Sequence, residues 1–449
     1  MKPYYEDSQC TVFNGDCREV LAEMEPDSVD CCVTSPPYYG LRKYSGDQDG
    51  TWGGDDGCDH EWGEVHPPGY RSSDSHPGPL QHEGNTRRDG LSSSTCRLCG
   101  AWRGGLGLEP TVEMYVEHIV EVFRAVKRVL KPTGTMWVNI GDSYAGGNQG
   151  GVYKPGAWKE LPNPPAGWTN RQQRTNGMNT VVSGLKPKDL MLVPFRLALA
   201  LQAAGWWIRS DIIWAKNNPM PESVTDRPTT SHEHIFLLSK RADYYFDQEA
   251  VREKQSVNTH ERYAKGRPVP PAAIGSKELA RPGYENWRET TPDTWLASGR
   301  NIRTVWTIPT EAYPDAHFAT FPQALVRPCI LAGTSERGVC AKCGKPWQRV
   351  EEKTGHVNKR EPAHAIFGEP PKTDSTGWKP PSVATSDWRP TCRCEGDTHS
   401  AVVLDIFGGS GTTGLVARKL GRRAILIELS EEYCRMSERR ILALPEPML

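Results

Sequence analysis

The chain has 449 residues, a length that fits about three domains or one large domain with insertions. Its 54 lysines and arginines nearly balance its 55 aspartates and glutamates, which excludes a globally basic nucleic-acid-binding protein and leaves only local charged patches. No run of 18 apolar residues occurs, and the N-terminus lacks the pattern of a secretory signal. We therefore expect a soluble cytoplasmic protein, with no membrane partner, whose 13 cysteines stay reduced.

Strands and helices alternate along most of the chain, as judged from the spacing of apolar residues. The predicted elements, in chain order, are a strand, a helix and a strand within 10–38, helix 111–130, strand 135–141, helix 187–204, strands 206–216 and 232–240, strand 401–407, helix 415–421 and strand 422–429. This alternation predicts an α/β fold.

Three stretches interrupt the alternation. Residues 45–108 are rich in Gly, Ser, Asp and His and have little apolar periodicity, so we interpret them as an insertion. Residues 144–185 have the glycines and prolines of a loop. Residues 250–303 are polar and irregular, with ten Lys or Arg against six Asp or Glu, so this segment is a local positive patch.

A glycine-rich turn follows the strand at 401–407. Its sequence, "GGSGTTG", places Gly409, Gly411 and Gly414 at G-x-G-x-x-G spacing before a helix, and Glu428 closes the next strand. Glycines let a ligand approach the backbone closely, and an acid at the end of the second strand can accept hydrogen bonds from ribose hydroxyls. The pattern predicts a nucleoside cofactor. NAD and S-adenosylmethionine both fit it, and a purely structural tight turn is the alternative.

The segment "TSPPYYG", residues 34–40, ends a predicted strand with two prolines. Two prolines in succession keep the backbone extended and donate no hydrogen bond, so nearby carbonyls are left able to accept. Ser35 and the Pro36 carbonyl therefore present two acceptors in fixed positions, with the ring of Tyr38 close beside them. This arrangement suits a planar group that carries an exocyclic amine.

Together the two motifs resemble a known family. "TSPPYYGLRKY" and "DIFGGSGTT" resemble the amino-methylating DNA methyltransferases, which use S-adenosylmethionine and carry a [DNS]-P-P-[YFW] motif. The S-P-P-Y motif lies N-terminal to the glycine motif, which is similar to the permuted order of the β-class enzymes. The resemblance covers most of the chain and implies a Rossmann-like methyltransferase fold with permuted motif order. Ile406 departs from the proline that the family usually has after Asp405.

The resemblance also implies roles for individual residues. Ser35, Pro36, Pro37 and Tyr38 would form the catalytic segment: Ser35 and Pro36 would accept from the amino group of a base rotated out of the duplex, and Tyr38 would stack on it. The residues implied to bind the cofactor are Asp16, Thr34, Phe321, Asp405, Phe407, Gly409, Gly411, Thr412 and Glu428. Catalysis would depend on positioning and electrostatics, with no covalent enzyme intermediate.

The resemblance further implies the substrate. Family members with serine at the first motif position mostly methylate N4 of cytosine, whereas those with aspartate or asparagine mostly methylate N6 of adenine. Ser35 therefore favours N4 of cytosine in double-stranded DNA, with N6 of adenine as the alternative. An NAD-dependent dehydrogenase, a zinc-containing DNA-binding protein without catalysis, and a methyltransferase for a protein or RNA amide are remoter alternatives. Double-stranded DNA is the expected partner, while the presence of a cognate restriction enzyme and the oligomeric state are left open.

Eight cysteine and histidine residues form short clusters in two polar segments. Each C-x-x-C turn is matched by two further ligands elsewhere in its own segment, which predicts two tetrahedral zinc sites. The predicted ligands are Cys58, His60, Cys96 and Cys99 for the first site, and Cys340, Cys343, Cys392 and Cys394 for the second. We expect a structural role, because long polar inserts need such a closure to fold. Surface thiols without metal, or one zinc shared between the two C-x-x-C turns, are the alternatives.

The motifs divide the chain into five predicted parts. These are a catalytic part at 1–44 and 109–246, a zinc-binding insert at 45–108, a target-recognition region at 247–303, a cofactor-binding part at 304–339 and 395–449, and a second zinc-binding insert at 340–394. Three polar residues at strand ends have two interpretations. His232 and Glu233 could approach DNA or the target base, and Asp142 could shape the pocket, but each could equally be structural.

Overall fold

The structure, a computed structural model, describes residues 1–40, 49–62, 94–145, 185–186, 188–254, 299–311, 321–354, 382–394 and 396–443. The strands are β1 (Tyr5–Glu6), β2 (Cys10–Asn14), β3 (Val29–Thr34), β4 (Gly50–Trp52), β5 (Trp102–Gly104), β6 (Leu130–Ile140), β7 (Trp207–Ala215), β8 (His232–Ser239), β9 (Val305–Thr307), β10 (Val339–Cys340), β11 (Trp347–Thr354), β12 (Ser382–Pro390), β13 (Thr398–His399), β14 (Val402–Asp405) and β15 (Arg423–Glu428). The helices are α1 (Cys17–Glu23), α2 (Val112–Val129), α3 (Val193–Ala203), α4 (Gln323–Gly333), α5 (Thr412–Lys419) and α6 (Glu431–Leu442), with a 3₁₀ turn at Glu249–Val251.

Nine strands form one mixed sheet in the order β1-β2-β15-β14-β3-β6-β8-β7-β9. The five strands from β2 to β6 in this order run parallel, whereas β8 pairs antiparallel with both of its neighbours. The predicted α/β fold is confirmed. From β14 the chain continues to β15 on one side, and from β3 it continues to β6 on the other. Such a reversal opens a crevice at the carboxyl ends of β14 and β3, where ligands bind in open α/β sheets.

Helices cover both faces of the sheet. α1, α2 and α3 bury apolar side chains against one face, and α4, α5 and α6 do so against the other. In α2 the Thr111 hydroxyl caps the first turn by accepting from Met114 N at 3.2 Å, and Tyr115, Ile119 and Phe123 repeat along the buried face. Because water is excluded from both faces, the central strand β3 is buried along its whole length.

Three predicted elements begin three or more residues from the expected position. One is α5, which begins at Thr412 and not at 415. α3 begins at Val193 and not at 187, because Leu192 adopts a left-handed conformation with φ of 55° and cannot continue a helix towards the N-terminus. β6 begins at Leu130, earlier than predicted, and its pairing with β3 shifts across residues 131–134. That irregular stretch breaks the apolar alternation on which the prediction depended.

Small two-stranded sheets lie in the predicted inserts or at their borders. β4 pairs antiparallel with β5, β10 with β13, and β11 with β12. Residues 63–93 of the first insert, 146–184 of the predicted loop and 255–298 of the predicted target-recognition region lie outside the described residues. Among the helices that are described, none has the length and apolar character needed to cross a bilayer.

Candidate active site

A cleft of about 930 Å³ lies at the carboxyl ends of the parallel strands. The segments that follow β2, β3 and β14, and the end of β15, line it with residues 15–19, 35–38, 406–410 and 427–429. Residues 49–52 of the first insert and the adjoining ends of β6, β7 and β8 complete its walls. The S-P-P-Y segment and the glycine turn, which are far apart in the sequence, therefore line the same cleft.

The glycine turn forms one wall of the cleft. Gly409 has φ of 49°, and a Cβ built on it would meet only Phe407 O, at 3.8 Å, so this face of the turn is open to a ligand. Gly411 has φ of 79°, and a Cβ there would lie 2.8 Å from the side chain of Ser437. Only glycine lets α6 pack this closely against the turn. The turn thus has an accessible backbone at Gly409 and is tightly packed against α6 at Gly411.

Glu428 ends β15 beside the glycine turn. One of its carboxylate oxygens accepts from Gly409 N at 2.8 Å, and the other accepts from Ser430 N at 2.8 Å. Burial raises the pKa of this carboxyl group above its ordinary value, although the backbone hydrogen bonds oppose the shift. Each oxygen keeps a further lone pair, so the carboxylate can also accept from ribose hydroxyls.

Asp405 and Thr34 lie beneath the lining of the cleft and not on it. The buried Asp405 carboxylate accepts from the hydroxyls of Thr34 and Thr413, both at 2.7 Å, and from Phe407 N at 3.2 Å. Burial raises the pKa of Asp405 to about 6. These bonds tie the end of β14 to the end of β3 and hold the glycine turn in register with Ser35, while a contact of Asp405 or Thr34 with the cofactor stays a prediction.

Of the other residues implied to bind the cofactor, all but one line the cleft. Phe321, Phe407 and Thr412 line the cleft, whereas Gly411 serves the packing of α6 and is not part of the lining. Asp16 lines the cleft as well.

Asp16 is already engaged by a neighbouring cation. It caps α1 by accepting from Arg18 N at 2.8 Å, and it pairs with the guanidinium group at 2.7 Å. Arg18 Nη1 also donates to Thr51 O at 2.8 Å. Arg18 was missed by sequence reasoning, and it joins the turn after β2 to the first insert.

The S-P-P-Y segment, Ser35–Tyr38, lines the cleft along its whole length. The Pro37 carbonyl accepts from the Tyr115 hydroxyl at 2.8 Å. Among the residues that the structure describes, none donates to the Pro36 carbonyl, and the Ser35 hydroxyl lies 3.5 Å from the Tyr38 hydroxyl. Ser35, Pro36 and Tyr38 therefore line the cleft together, with Ser35 Oγ beside the Tyr38 hydroxyl.

A carboxylate joins three strand ends beside Tyr38. Glu233 Oε2 accepts from the Tyr38 hydroxyl at 2.6 Å and from Asn139 Nδ2 at 3.0 Å, and Lys216 Nζ donates to Glu233 Oε1. All four residues line the cleft. Sequence reasoning left the role of Glu233 open and missed Asn139 and Lys216. The available signal was a polar residue at one end of each of three apolar strands, β6, β7 and β8.

The four predicted metal ligands of each insert lie close together. In each group the four ligand atoms all lie within 4.8 Å of one another, and the groups are Cys58, His60, Cys96 and Cys99, and Cys340, Cys343, Cys392 and Cys394. In the first group, Cys99 Sγ lies 3.4 Å from His60 Nδ1, and Leu98 N donates to Cys96 Sγ at 3.4 Å. Two separate groups of four suit tetrahedral sites and argue against one zinc shared between the C-x-x-C turns.

Two further polar residues had open interpretations. Asp142 Oδ1 accepts from Ser143 N at 2.8 Å and from Val193 N at 3.0 Å, so it caps the start of α3 as the structural interpretation expected. His232 is exposed at the start of β8 and does not line the cleft.

Comparison with known proteins identifies relatives over almost the whole chain. The model of the DNA methylase family matches residues 29–341 and 396–439, and the unmatched stretch between them falls in the predicted second zinc-binding insert. Type II methyltransferase M.SmaI of Serratia marcescens is 31% identical over 433 residues, which cover 96% of this chain and 91% of the relative. Type II methyltransferase M.Cfr9I of Citrobacter freundii is 32% identical over 431 residues, 96% of this chain and 87% of the relative. Among solved structures, PvuII DNA methyltransferase (cytosine-N4-specific) is 15% identical with a TM-score of 0.46, over 100% of this chain and 91% of that chain.

Proposed function

This chain belongs to the DNA methylase family, and from that premise we propose that it transfers a methyl group from S-adenosylmethionine to N4 of cytosine in double-stranded DNA. The observation that carries the proposal is a single cleft lined by Ser35, Pro36, the glycine turn and Glu428. Acceptors for an amine and groups that suit a nucleoside thus face the same volume. A dehydrogenase would have no use for the S-P-P-Y segment.

The residues of the cleft fit the proposed cofactor. S-adenosylmethionine supplies an electrophilic methyl group bound to a sulfonium. Gly409 offers an open backbone surface, Glu428 offers carboxylate oxygens for ribose hydroxyls, and Phe407 offers an apolar ring on the same lining. The volume of the cleft, about 930 Å³, lies within the range of small-molecule sites.

Ser35 and Pro36 are proposed to hold the target amine. Their oxygens would accept its two hydrogens, which orients the nitrogen and raises its electron density for attack on the methyl carbon. Tyr38 would stack on the base, and this contact offsets the unstacking cost of about a few kcal/mol when the base leaves the duplex. The amino nitrogen would form the bond to the methyl carbon itself while the bond between that carbon and the sulfonium sulfur breaks and leaves a neutral thioether, so no side-chain nucleophile is required. The proton that the nitrogen releases would pass through the Ser35 hydroxyl to water.

The choice of cytosine rests on Ser35. Both cytosine and adenine present an exocyclic amine to two acceptors, so the geometry of Ser35 and Pro36 serves either base. The resemblance of this chain to serine-containing members of the family favours cytosine N4. Adenine N6 is the alternative that the experiment below distinguishes.

The two cysteine-rich groups are proposed to bind one structural zinc each. Thiolate and imidazole ligands in groups of four are typical of closed tetrahedral zinc sites, which have no open position for catalysis. The small sheets around them are only two-stranded, and a two-stranded sheet is marginally stable by itself. Zinc would therefore close the two inserts.

The wider setting follows from the relatives. M.SmaI and M.Cfr9I are type II methyltransferases of bacteria, and we propose that this protein likewise modifies DNA in a bacterial cytoplasm beside a cognate restriction enzyme. The positively charged region 247–303 is proposed to recognise the target sequence.

Nucleoside analysis of modified DNA tests the proposal. DNA from cells that express the wild-type protein is digested to nucleosides and analysed by mass spectrometry, with the Ser35→Ala variant and an empty vector as controls. N4-methylcytosine is expected with the wild type alone. N6-methyladenine without N4-methylcytosine would overturn the choice of base, and the absence of both would overturn DNA amino-methylation itself.

A further inference from the structure

We propose that Glu233 is a positioning residue that holds the Tyr38 ring for stacking on the target base, and that Lys216 and Asn139 keep the Glu233 carboxylate in the required orientation. The inference rests on the proposed function, because it takes Tyr38 as the residue that contacts the base. It adds to the S-P-P-Y segment a second group of residues on which turnover depends.

Tyr38 is held at two points. Its hydroxyl donates to Glu233 Oε2 at 2.6 Å, the short distance of a hydrogen bond to a charged acceptor. Its ring lies directly against Gly141, where an added Cβ would be 2.8 Å from ring atom Cε2 and 3.1 Å from Cδ2. A contact along the ring edge and a bond at the hydroxyl leave the two side-chain torsions little freedom. The plane of the ring is therefore set before any base arrives.

Glu233 is anchored in turn by side chains from neighbouring strands. Asn139 on β6 donates to Glu233 at 3.0 Å and to the His234 carbonyl at 3.3 Å. Lys216, which follows β7, donates to the other carboxylate oxygen and lies 4.7 Å from the centroid of the Trp214 ring. The carboxylate thus receives three donors, and it would lose all of them if it turned towards solvent.

The location of this ion pair favours a functional role. The Lys216 and Glu233 side chains are only 20% and 15% exposed, and a pair so desolvated is weak evidence for stability. Yet both residues line the cleft, and Glu233 is hydrogen-bonded to Tyr38 of the S-P-P-Y segment. A charged acceptor holds the Tyr38 hydroxyl more strongly than a neutral one does, which explains a costly charge at this place.

A purely structural pair is the competing explanation. In that case Lys216 and Glu233 only join the ends of β7 and β8, and their loss would lower stability whether or not Tyr38 has its hydroxyl. A positioning role instead requires that the effect of changing Glu233 depend on that hydroxyl. The two explanations therefore differ in a measurable coupling.

A double-mutant cycle on the full-length protein measures this coupling. Glu233→Gln keeps the shape of the side chain, but its amide NH₂ must face one of the three donors. We expect Glu233→Gln and Tyr38→Phe each to lower kcat for duplex DNA about tenfold. The kcat of the double variant should be no lower than that of the less active single variant. Losses that multiply in the double variant would overturn the inference, as would an unchanged kcat in Glu233→Gln.

Further variants separate positioning from folding. Lys216→Met should lower kcat as Glu233→Gln does, and Lys216→Arg should restore part of it, while the Kd for S-adenosylmethionine stays unchanged in all of them. The matched control is Glu222→Gln, because Glu222 pairs with Arg227 at 2.6 Å between β7 and β8 and does not line the cleft. Its kcat should equal that of the wild type. A lower Tm with unchanged turnover per folded molecule would overturn the inference in favour of a structural pair.

A fluorescent base analogue at the target position of the duplex reports base rotation directly. Glu233→Gln and Tyr38→Phe should alter the stacked signal of the analogue alike, and signals that differ between them would contradict a shared role. Failure of the proposed function is distinguishable, since it would appear as a wild-type protein that methylates no DNA at all.

Discussion

Arg18 stacks on Trp52, with its guanidinium carbon 3.9 Å from the centroid of the indole ring. Trp52 is only 6% exposed and pairs with Trp102 across the two-stranded sheet of β4 and β5. Cys96, a member of the first cysteine and histidine group, lies just before β5 in the chain. The same Arg18 side chain holds Asp16 at the cleft. The first proposed zinc site is therefore connected to the wall of the cleft through the two-stranded sheet of β4 and β5.

The first prediction is that loss of this zinc site weakens cofactor binding. Cys96→Ser should raise the Kd for S-adenosylmethionine about tenfold, ~1.4 kcal/mol, because the metal would no longer hold together the insert whose two-stranded sheet supports Arg18. Isothermal titration calorimetry measures the change. Cys392→Ser is the matched control, since no residue of the strands beside its group lines the cleft, whereas β4 beside the first group does, and it should leave the Kd unchanged. Equal effects of the two variants would contradict the connection through Arg18.

Metal content is the second prediction. Elemental analysis of the purified protein should find about two zinc ions per chain, because each group supplies four ligands. Cys96→Ser and Cys392→Ser should each retain about one. Full activity in a protein that contains no metal would refute both proposed sites.

The third prediction concerns Glu428. Glu428→Ala should weaken S-adenosylmethionine binding by ~1–3 kcal/mol, because ribose hydroxyls would lose their acceptor and Gly409 N would lose its partner. Calorimetry of the variant against Glu431→Ala provides the test. Glu431 is the suitable control, because it is a solvent-exposed acid that pairs with Arg435 on α6. Equal affinities of the two variants would remove Glu428 from the cofactor site.

The fourth prediction is a pH dependence that comes from Asp405. Burial raises its pKa from the ordinary 3.8 to about 6, so between these values the folded protein binds more protons than the unfolded chain does. The contribution of this group to the free energy of unfolding therefore falls as pH rises from about 4 to about 6, by up to ~1.4 kcal/mol per pH unit. Urea unfolding measures the free energy of unfolding of the wild type and of Asp405→Asn. Between about pH 4 and about pH 6 the wild type should lose stability relative to the variant as pH rises. A difference that does not change with pH would contradict the raised pKa.

The two motifs were predictable from the sequence because each is local. In the S-P-P-Y segment two prolines determine the backbone, and in the glycine turn a positive φ requires Gly409 and Gly411, so neither depends on distant residues. The two groups of four side chains were predictable for a similar reason, because a C-x-x-C turn brings its own two thiols together.

The rest of the site depends on contacts that the sequence does not display. Glu233 meets Asn139 and Lys216 only because β8 pairs antiparallel with both β6 and β7. Asp405 matches a motif position, yet a motif does not show which side of the strand end faces the ligand, and its carboxylate turns inwards to Thr34. Helix spacing likewise missed the start of α3, since that start is set by local backbone geometry.

The last prediction concerns the acceptor role of Ser35. Ser35→Ala should lower kcat by about 10²-fold, the usual effect of removing one oriented polar group from a reacting centre. Cofactor affinity should not change, because Thr34, Asp405 and the glycine turn keep their own hydrogen bonds. Single-turnover methyl transfer measures the first effect and calorimetry the second.

Ser28→Ala is the matched control for this variant, since the Ser28 hydroxyl donates to Glu25 O in the turn before β3 and does not line the cleft. It should retain the kcat of the wild type. An unchanged kcat in Ser35→Ala would show that the Pro36 carbonyl alone suffices to orient the amine. Since cytosine and adenine both present that amine, the loss of turnover in Ser35→Ala tests the acceptor and not the base. Only the nucleoside analysis identifies the base. The kinetics of Ser35→Ala can therefore contradict the acceptor role without affecting the choice of base, and the nucleoside analysis can contradict the choice of base without affecting the acceptor role.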